Sequence, residues 1–242
     1  MYFLFSGEGP TDLGACDDGA SVCEGDRYQH GPMTVIVDQV VNAQCGYSLL
    51  EKRCYGFLSE KGLADLTSEL KPVKRTSPRL PGKKAAKETR YFYRNARAFA
   101  RYAKEKSAAL NDDLVVAILF RDSDGTASAG RGLWEDKKDS MLRGFKEEEF
   151  ATGVPMIPKP KSEAWLLCAL KENPYQGCES LENRSGNDDS PNSLKAELET
   201  VLGYRPSRED LCEIVGDRTV DVDRIDMPSF RDFRTRLEEV IS

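Results

Sequence analysis

Three short stretches carry side chains suited to work on a phosphate or a metal ion. Asp122 and Asp124 stand two apart directly after the apolar run Leu114–Phe120, and Gly125 follows them. On an extended backbone, residues two apart point to one side, so both carboxylates can share a single cation. Glu8 lies between Gly7 and Gly9, just past the apolar run Tyr2–Ser6, with Asp12 four residues on. Flanking glycines let a backbone approach a ligand closely and leave the carboxylate open. Further along, Lys159 and Lys161 alternate with Pro158 and Pro160 ahead of Ser162 and Glu163. Such a stiff segment can offer a positive contact to a phosphate; the plain alternative is ordinary surface charge.

The residue inventory narrows the chemistry. His30 is the only histidine among 242 residues, whereas Asp and Glu total 41. Chemistry that needs two histidines is thereby excluded: zincins, HNH and HD nucleases, two-histidine phosphoesterases. Carboxylates with a hard cation remain as the available tools. His30 itself reads as a structural or solvated loop residue, with an auxiliary base as the alternative.

The net charge of −6 hides a strong asymmetry. Between Lys71 and Lys106 there are 13 basic residues and only two acidic ones, Glu88 and Glu105. Lys83, Lys87, Arg90, Arg94, Arg97, Arg101 and Lys104 recur at alternating spacings of four and three, which places them along one face of a helix. Phe92, Ala96, Phe99 and Ala103 keep the same rhythm on the opposite side and are expected to pack on the body. A stripe of like charges gains stability from a polyanion, so nucleic acid is the expected partner, with a solvated helix face as the alternative.

The elements that must position these residues follow from the apolar pattern. Tyr2–Ser6 reads as a first strand and residues 13–31 as a loop. Pro32–Cys45 reads as a helix opening on proline, and residues 56–61 as a short strand or turn. The basic helix is expected over about 83–109. Leu114–Phe120 has the continuous apolar character of a buried central strand. A helix over 134–150, a strand over 154–157 and a helix over 163–170 capped by Ser162 come next. Residues 177–191 read as a polar, mobile loop, and helices are expected at about 192–202, 207–215 and 228–241. Strands alternating with helices predict an α/β fold with a largely parallel sheet, where sites form beyond the carboxyl ends of the strands.

In that setting the motifs FLFSGEGPTD (3–12) and VVAILFRDSDGT (115–126) resemble the Toprim domain. The nearest likeness is to Toprim domains of OLD-type nucleases and of small standalone Toprim-like bacterial proteins, several of them linked to phage defence. VPMIPKPKSEAWLL (154–167) resembles the strand and acid-bearing helix of those proteins, and the closing IDMPSFRDFRTRLEEV resembles the helical tail of the standalone group. The resemblance implies a Toprim-like α/β domain over 1–170, interrupted by an insertion at about 46–110 that carries the basic helix. A helical extension over 171–242 would pack on the same domain. It further implies a Mg2+- or Mn2+-dependent nuclease in which Glu8, Asp122 and Asp124 are catalytic and bind metal. Asp12 and Glu163 would be candidates for a second metal and Lys161 a phosphate contact. Lys87, Arg90, Arg94, Arg97 and Arg101 would meet nucleic acid, DNA or RNA, and an ATPase is a candidate protein partner.

Two other readings stand beside this one. Phe120–Thr126 also fits the opening motif of a haloacid-dehalogenase-like phosphatase, with Asp122 as nucleophile and Asp124 as acid/base. The third is a non-catalytic Toprim-fold protein that binds nucleic acid and assists an ATPase. As to compartment, the longest apolar run is too short to cross a bilayer, and MYFLFSGEGP lacks the features of a signal peptide. Seven cysteines without a C-x-x-C pair suggest reduced thiols in a cytoplasm.

Overall fold

The computed structural model describes residues 1–71, 87–123, 133–190 and 192–242, without the side chains of Lys87 and Glu88. In chain order, β1 (Tyr2–Gly7) is followed by the short strands β2 (Gly14–Cys16), β3 (Val22–Glu24) and β4 (Tyr28–His30), then by α1 (Pro32–Cys45) and α2 (Leu49–Lys52). Strand β5 (Tyr55–Leu58) leads into α3 (Glu60–Glu69), and the long helix α4 (Lys87–Ala109) into β6 (Val115–Phe120). Helix α5 (Trp134–Glu147) leads into β7 (Gly153–Met156). The remainder is helical: α6 (Ser162–Leu170), a 3-10 segment at Cys178–Asn183, α7 (Leu194–Leu202), α8 (Arg208–Gly216) and α9 (Pro228–Ile241).

Local signals account for many of these boundaries. Pro32 opens α1, and Gly46 closes it in a left-handed conformation at φ 74°. Ser59 caps α3 by accepting from the Gly62 N–H, and Ser207 with Asp210 forms a reciprocal capping box on α8. Ser162 does not cap α6; it is the first helical residue, and Lys161 holds the cap position.

Among the described residues the main sheet has the order β3-β5-β1-β6-β7. All its neighbours are parallel except the edge pair β3 and β5. The register aligns Tyr2 with Val115 through to Gly7 with Phe120, and Ala117 with Gly153. The fold is therefore α/β, with a mostly parallel central sheet flanked by helices. The chain steps from β1 to β5 in one direction, then back across β1 to β6 and on to β7. Crossovers of one hand must then put their helices on opposite faces, and the core divides accordingly. Phe3, Phe5, Val116, Ile118, Phe120, Val154 and Met156 pack against α1 and the C-terminal helices. Tyr2, Leu4, Val115, Ala117 and Leu119 pack against α3, α4 and α5. The uninterrupted apolar sequence of β6 follows from burial on both faces.

Several expectations are corrected here. Residues 13–31 are not a loop: β2 and β4 form an antiparallel pair, and β3 adds the sheet edge. Residues 46–110, expected to carry the basic helix, also contribute β5, which pairs with β1 along Phe3–Ser6. Helix α4 is the covering layer of one face, with Phe92, Ala96, Phe99 and Ala103 buried. Strand β5, four buried residues, overlaps the short strand or turn expected at 56–61 and begins one residue earlier. Residues 178–183 of the expected mobile loop form the 3-10 segment, in which Cys178, Leu181 and Glu182 are buried.

The cysteines are not all reduced. Cys16 is bonded to Cys23 and Cys168 to Cys178, with Cα–Cα separations of 5.7 and 5.2 Å. Cys45, Cys54 and Cys212 remain thiols. Spacings of 7 and 10 residues gave no local pairing signal, and the sequence argument for a reducing compartment falls with this finding. Among the described residues no helix is long and apolar enough to cross a membrane.

Candidate functional site

The connections leaving β1 and β6 run in opposite directions, and the carboxyl ends of two such strands are where open α/β sheets bind ligands. Glu8 follows β1 directly, and Asp122 stands two residues past the end of β6. The Asp122 N–H donates to Glu8 Oε1 at 3.0 Å. The two glycines beside Glu8 serve the protein rather than an open approach. A side chain at Gly7 would come within 2.3 Å of the Phe120 carbonyl oxygen, so glycine here lets β1 and β6 close together. Gly9 has φ +79°, and its carbonyl accepts from the N–H groups of Asp12 and Leu13 in the turn that returns Asp12 to the site.

Alternation past the strand ends separates the side chains. Asp122 turns toward α6, where the Ser162 N–H donates to its Oδ1 at 3.0 Å. Ser162 also donates its hydroxyl to Asp12 Oδ1, and the same oxygen lies 3.5 Å from Glu163 Oε2. Ser162 thus joins Asp12, Asp122 and Glu163, which come from three separate parts of the chain. Burial pushes the Asp12 carboxyl up from its ordinary range, against hydrogen bonds from Ser162 and Thr11 and the charges of Lys161 and Lys195. Burial and then the nearby Asp12 charge push Glu163 up as well. Among the described residues no three Asp, Glu, His or Cys side chains stand in metal-ligating geometry. Asp124 lies outside the described residues, as do Lys83 and the Lys87 side chain.

Arg121 turns the other way, toward α3 and α4. Its Nη1 donates to Glu8 Oε2 at 2.5 Å and to Glu60 Oε1 at 2.9 Å. Its guanidinium carbon lies 4.7 Å from the centre of the Tyr91 ring. Only 3% of Arg121 is exposed. Burial works against its charge, and Glu8, with Tyr91 and Glu60, outweighs it, raising the pKa above the usual arginine value. On the far side, the Ser123 N–H donates to the carbonyls of Pro158 and Pro160 at 3.2 and 3.0 Å, and the buried Lys137 ammonium donates to the Ser123 carbonyl.

The expected cations are placed differently from the sequence reading. Lys161 Nζ meets Asp188 Oδ1 at 2.7 Å, and Lys159 Nζ lies 4.0 Å from Glu182. The basic stripe of α4 is largely engaged within the fold. Arg97 is 5% exposed and, with Arg101, binds the Glu148 carboxylate beyond α5. Lys104 donates to the Glu148 carbonyl at 3.1 Å, and Arg94 to the Thr67 carbonyl at 2.7 Å. Of the described stripe residues, Arg90, Arg101 and Lys104 remain exposed, Arg94 is half-buried and Arg97 is buried. The helical spacing was right, but the middle of the stripe is drawn into the fold, with Arg97 buried against Glu148. His30, in β4, pairs with Gly14 of β2, and burial followed by the charge of Arg208 pushes its pKa down.

Arg121, Glu60 and Glu148 were not singled out from sequence, and Ser162 was read only as a helix cap. Arg121 alone left a trace, as a basic residue set between an apolar strand and two acids. Comparison of the chain with models of known protein families, with curated proteins and with solved structures finds no match.

Proposed function

We propose that this chain is a Mg2+- or Mn2+-dependent nuclease of Toprim-like design, hydrolysing nucleic-acid phosphodiesters at Glu8, Asp122 and Asp124. The observation that carries the reading is the adjacency of β1 and β6. It puts Glu8 and Asp122 side by side at the carboxyl ends of parallel strands, tied by the 3.0 Å bond from the Asp122 N–H to Glu8. The donor chemistry suits a hard cation, since Glu8, Asp122, Asp12 and Glu163 offer oxygen alone. The raised pKa values of Asp12 and Glu163 mark carboxylates lacking sufficient compensating charge, a condition that cation binding relieves.

A bound cation there would neutralise charge on the phosphodiester oxygens and acidify an attacking water. Glu8 would orient that water and handle its proton. Ser162 would hold Asp12 and Asp122 in fixed directions. Lys161 would serve a phosphate only by leaving Asp188. Nucleic acid would meet the Lys87 and Arg90 end of α4, nearest the site, rather than the whole stripe. The association with phage defence and with an ATPase partner belongs to the same proposal.

The test is cleavage of linear and circular DNA and of RNA in Mn2+, together with Mn2+ binding. Glu8→Gln and Asp122→Asn should each lower cleavage by about 100-fold or more without loss of fold. Wild-type rates in both variants would end the proposal. Full activity in Glu8→Gln with phosphate trapped covalently on Asp122 would establish the phosphatase alternative, in which Glu8 has no part. Nucleic-acid binding without cleavage by the wild type would favour the non-catalytic alternative.

A further inference from the structure

We infer that Arg121 is the positioning residue for Glu8, and that Glu60 and Tyr91 hold Arg121 in that role, so that α3 and α4 set the geometry of the strand-end site. The inference rests on the nuclease reading above. A single nitrogen, Nη1, bridges Glu8 Oε2 and Glu60 Oε1. Glu60 begins α3 immediately after β5, and Tyr91 stands in the second turn of α4. The Tyr91 ring covers the guanidinium, and its hydroxyl reaches Glu60 Oε1 at 3.4 Å. The ends of β1, β5 and β6 and the start of α4 therefore meet at one buried cation.

The exposure pattern argues against a merely structural salt bridge. Arg121 keeps only 4% of its side chain exposed, whereas its carboxylate partners Glu8 and Glu60 keep 35% and 52%. The cation lies beneath and the carboxylates stand at the rim, where a substrate would arrive. Arg121 Nε is buried and, among the described residues, has no hydrogen-bond partner. Leaving this donor buried and unpaired costs free energy, which the two bonds of Nη1 and the Tyr91 contact must offset. Among the described residues each Glu8 oxygen takes one donor, Oε2 from Arg121 and Oε1 from the Asp122 N–H. A carboxylate oxygen accepts more than one partner, so Glu8 is fixed in direction yet retains acceptor capacity. Removing an outer group that orients a metal-binding carboxylate typically costs about 10- to 100-fold in affinity or activity.

The experiment uses the full chain with Mn2+, reading free Mn2+ by electron paramagnetic resonance and cleavage as kcat and KM separately. The variants are Glu60→Gln, Tyr91→Leu, Arg121→Lys and Arg121→Gln, each checked by thermal melting. Glu60→Gln and Tyr91→Leu, both at exposed positions, should fold like the wild type. Their kcat should fall about tenfold with KM unchanged, and Mn2+ should bind correspondingly more weakly. Arg121→Lys should retain part of the activity and Mn2+ affinity that Arg121→Gln loses. Should Arg121→Gln fail to fold, the Glu60 and Tyr91 variants carry the test alone. If the wild type binds Mn2+ and cleaves while those variants match it in kcat and affinity, the positioning role is refuted and the nuclease reading stands. If the wild type neither binds Mn2+ nor cleaves, both fall together.

Discussion

Glu148→Ala should destabilise the protein by about 3 kcal/mol, because it strips the carboxylate from a buried arginine. Glu148 stands just past the end of α5 with 12% of its side chain exposed. Its Oε1 receives Arg97 at 2.5 Å from Nη2, and its Oε2 receives Arg101 at 2.7 Å. The Arg97 side chain is 6% exposed, while that of Arg101 is 45% exposed. Orphaning a buried charge costs about 3–5 kcal/mol, whereas an exposed pair is worth about 0–1 kcal/mol. The low end of the first range applies, because the long Arg97 stem can partly rise to solvent. For a domain of this size each kcal/mol lowers Tm by about 2–4 °C, so a fall of about 6–12 °C is expected. Scanning calorimetry and urea unfolding at pH 7 measure it. Adding Arg97→Met should recover much of the loss, since an apolar pair leaves no charge behind. Burial alone would raise the Glu148 pKa, but hydrogen bonds from Arg101 and Arg97 and their charges hold it below its ordinary value. A carboxyl whose folded pKa lies below the unfolded value contributes stability that is complete above about pH 4.5 and is lost as pH falls through the folded pKa. A loss below about 1 kcal/mol at pH 7, with no flattening of the acid limb, would refute this account. Arg97 would then be effectively solvated and available to a polyanion.

The remaining predictions concern the carboxylate pair and the cysteines. Burial raises both Asp12 and Glu163, so charging them costs stability progressively as pH rises from their unfolded values of 3.8 and 4.5 through the higher folded ones. In EDTA, Asp12→Asn should therefore be more stable than wild type at pH 7, and the two should converge near pH 4. A variant that is less stable at pH 7, with a gap that persists in acid, would show that the Ser162 bond outweighs the buried charge. Thiol titration of the unfolded, unreduced protein should find three groups, Cys45, Cys54 and Cys212, and seven after reduction; seven from the start would exclude both disulfides.

Much of the frame was legible in the sequence. The apolar runs at β1 and β6, the proline opening α1 and the Ser207 capping box act over a few residues, so spacing alone reveals them. The same runs end at Glu8 and Asp122, which is why both could be named as strand-end carboxylates. Other features were decided only when distant segments met. β5 is a strand because β1 offers it a parallel partner, not because four residues demand it. Arg97 follows the helical rhythm of the basic stripe perfectly well, yet its fate is set by Glu148, 51 residues away. Arg121 reaches Glu8 across 113 residues, and Ser162 reaches Asp12 across 150. Helical and strand periodicities record which way a side chain points from its own backbone. Which charges it then meets, and whether water still reaches it, depends on the packing of elements remote in sequence, and that only the tertiary structure decides.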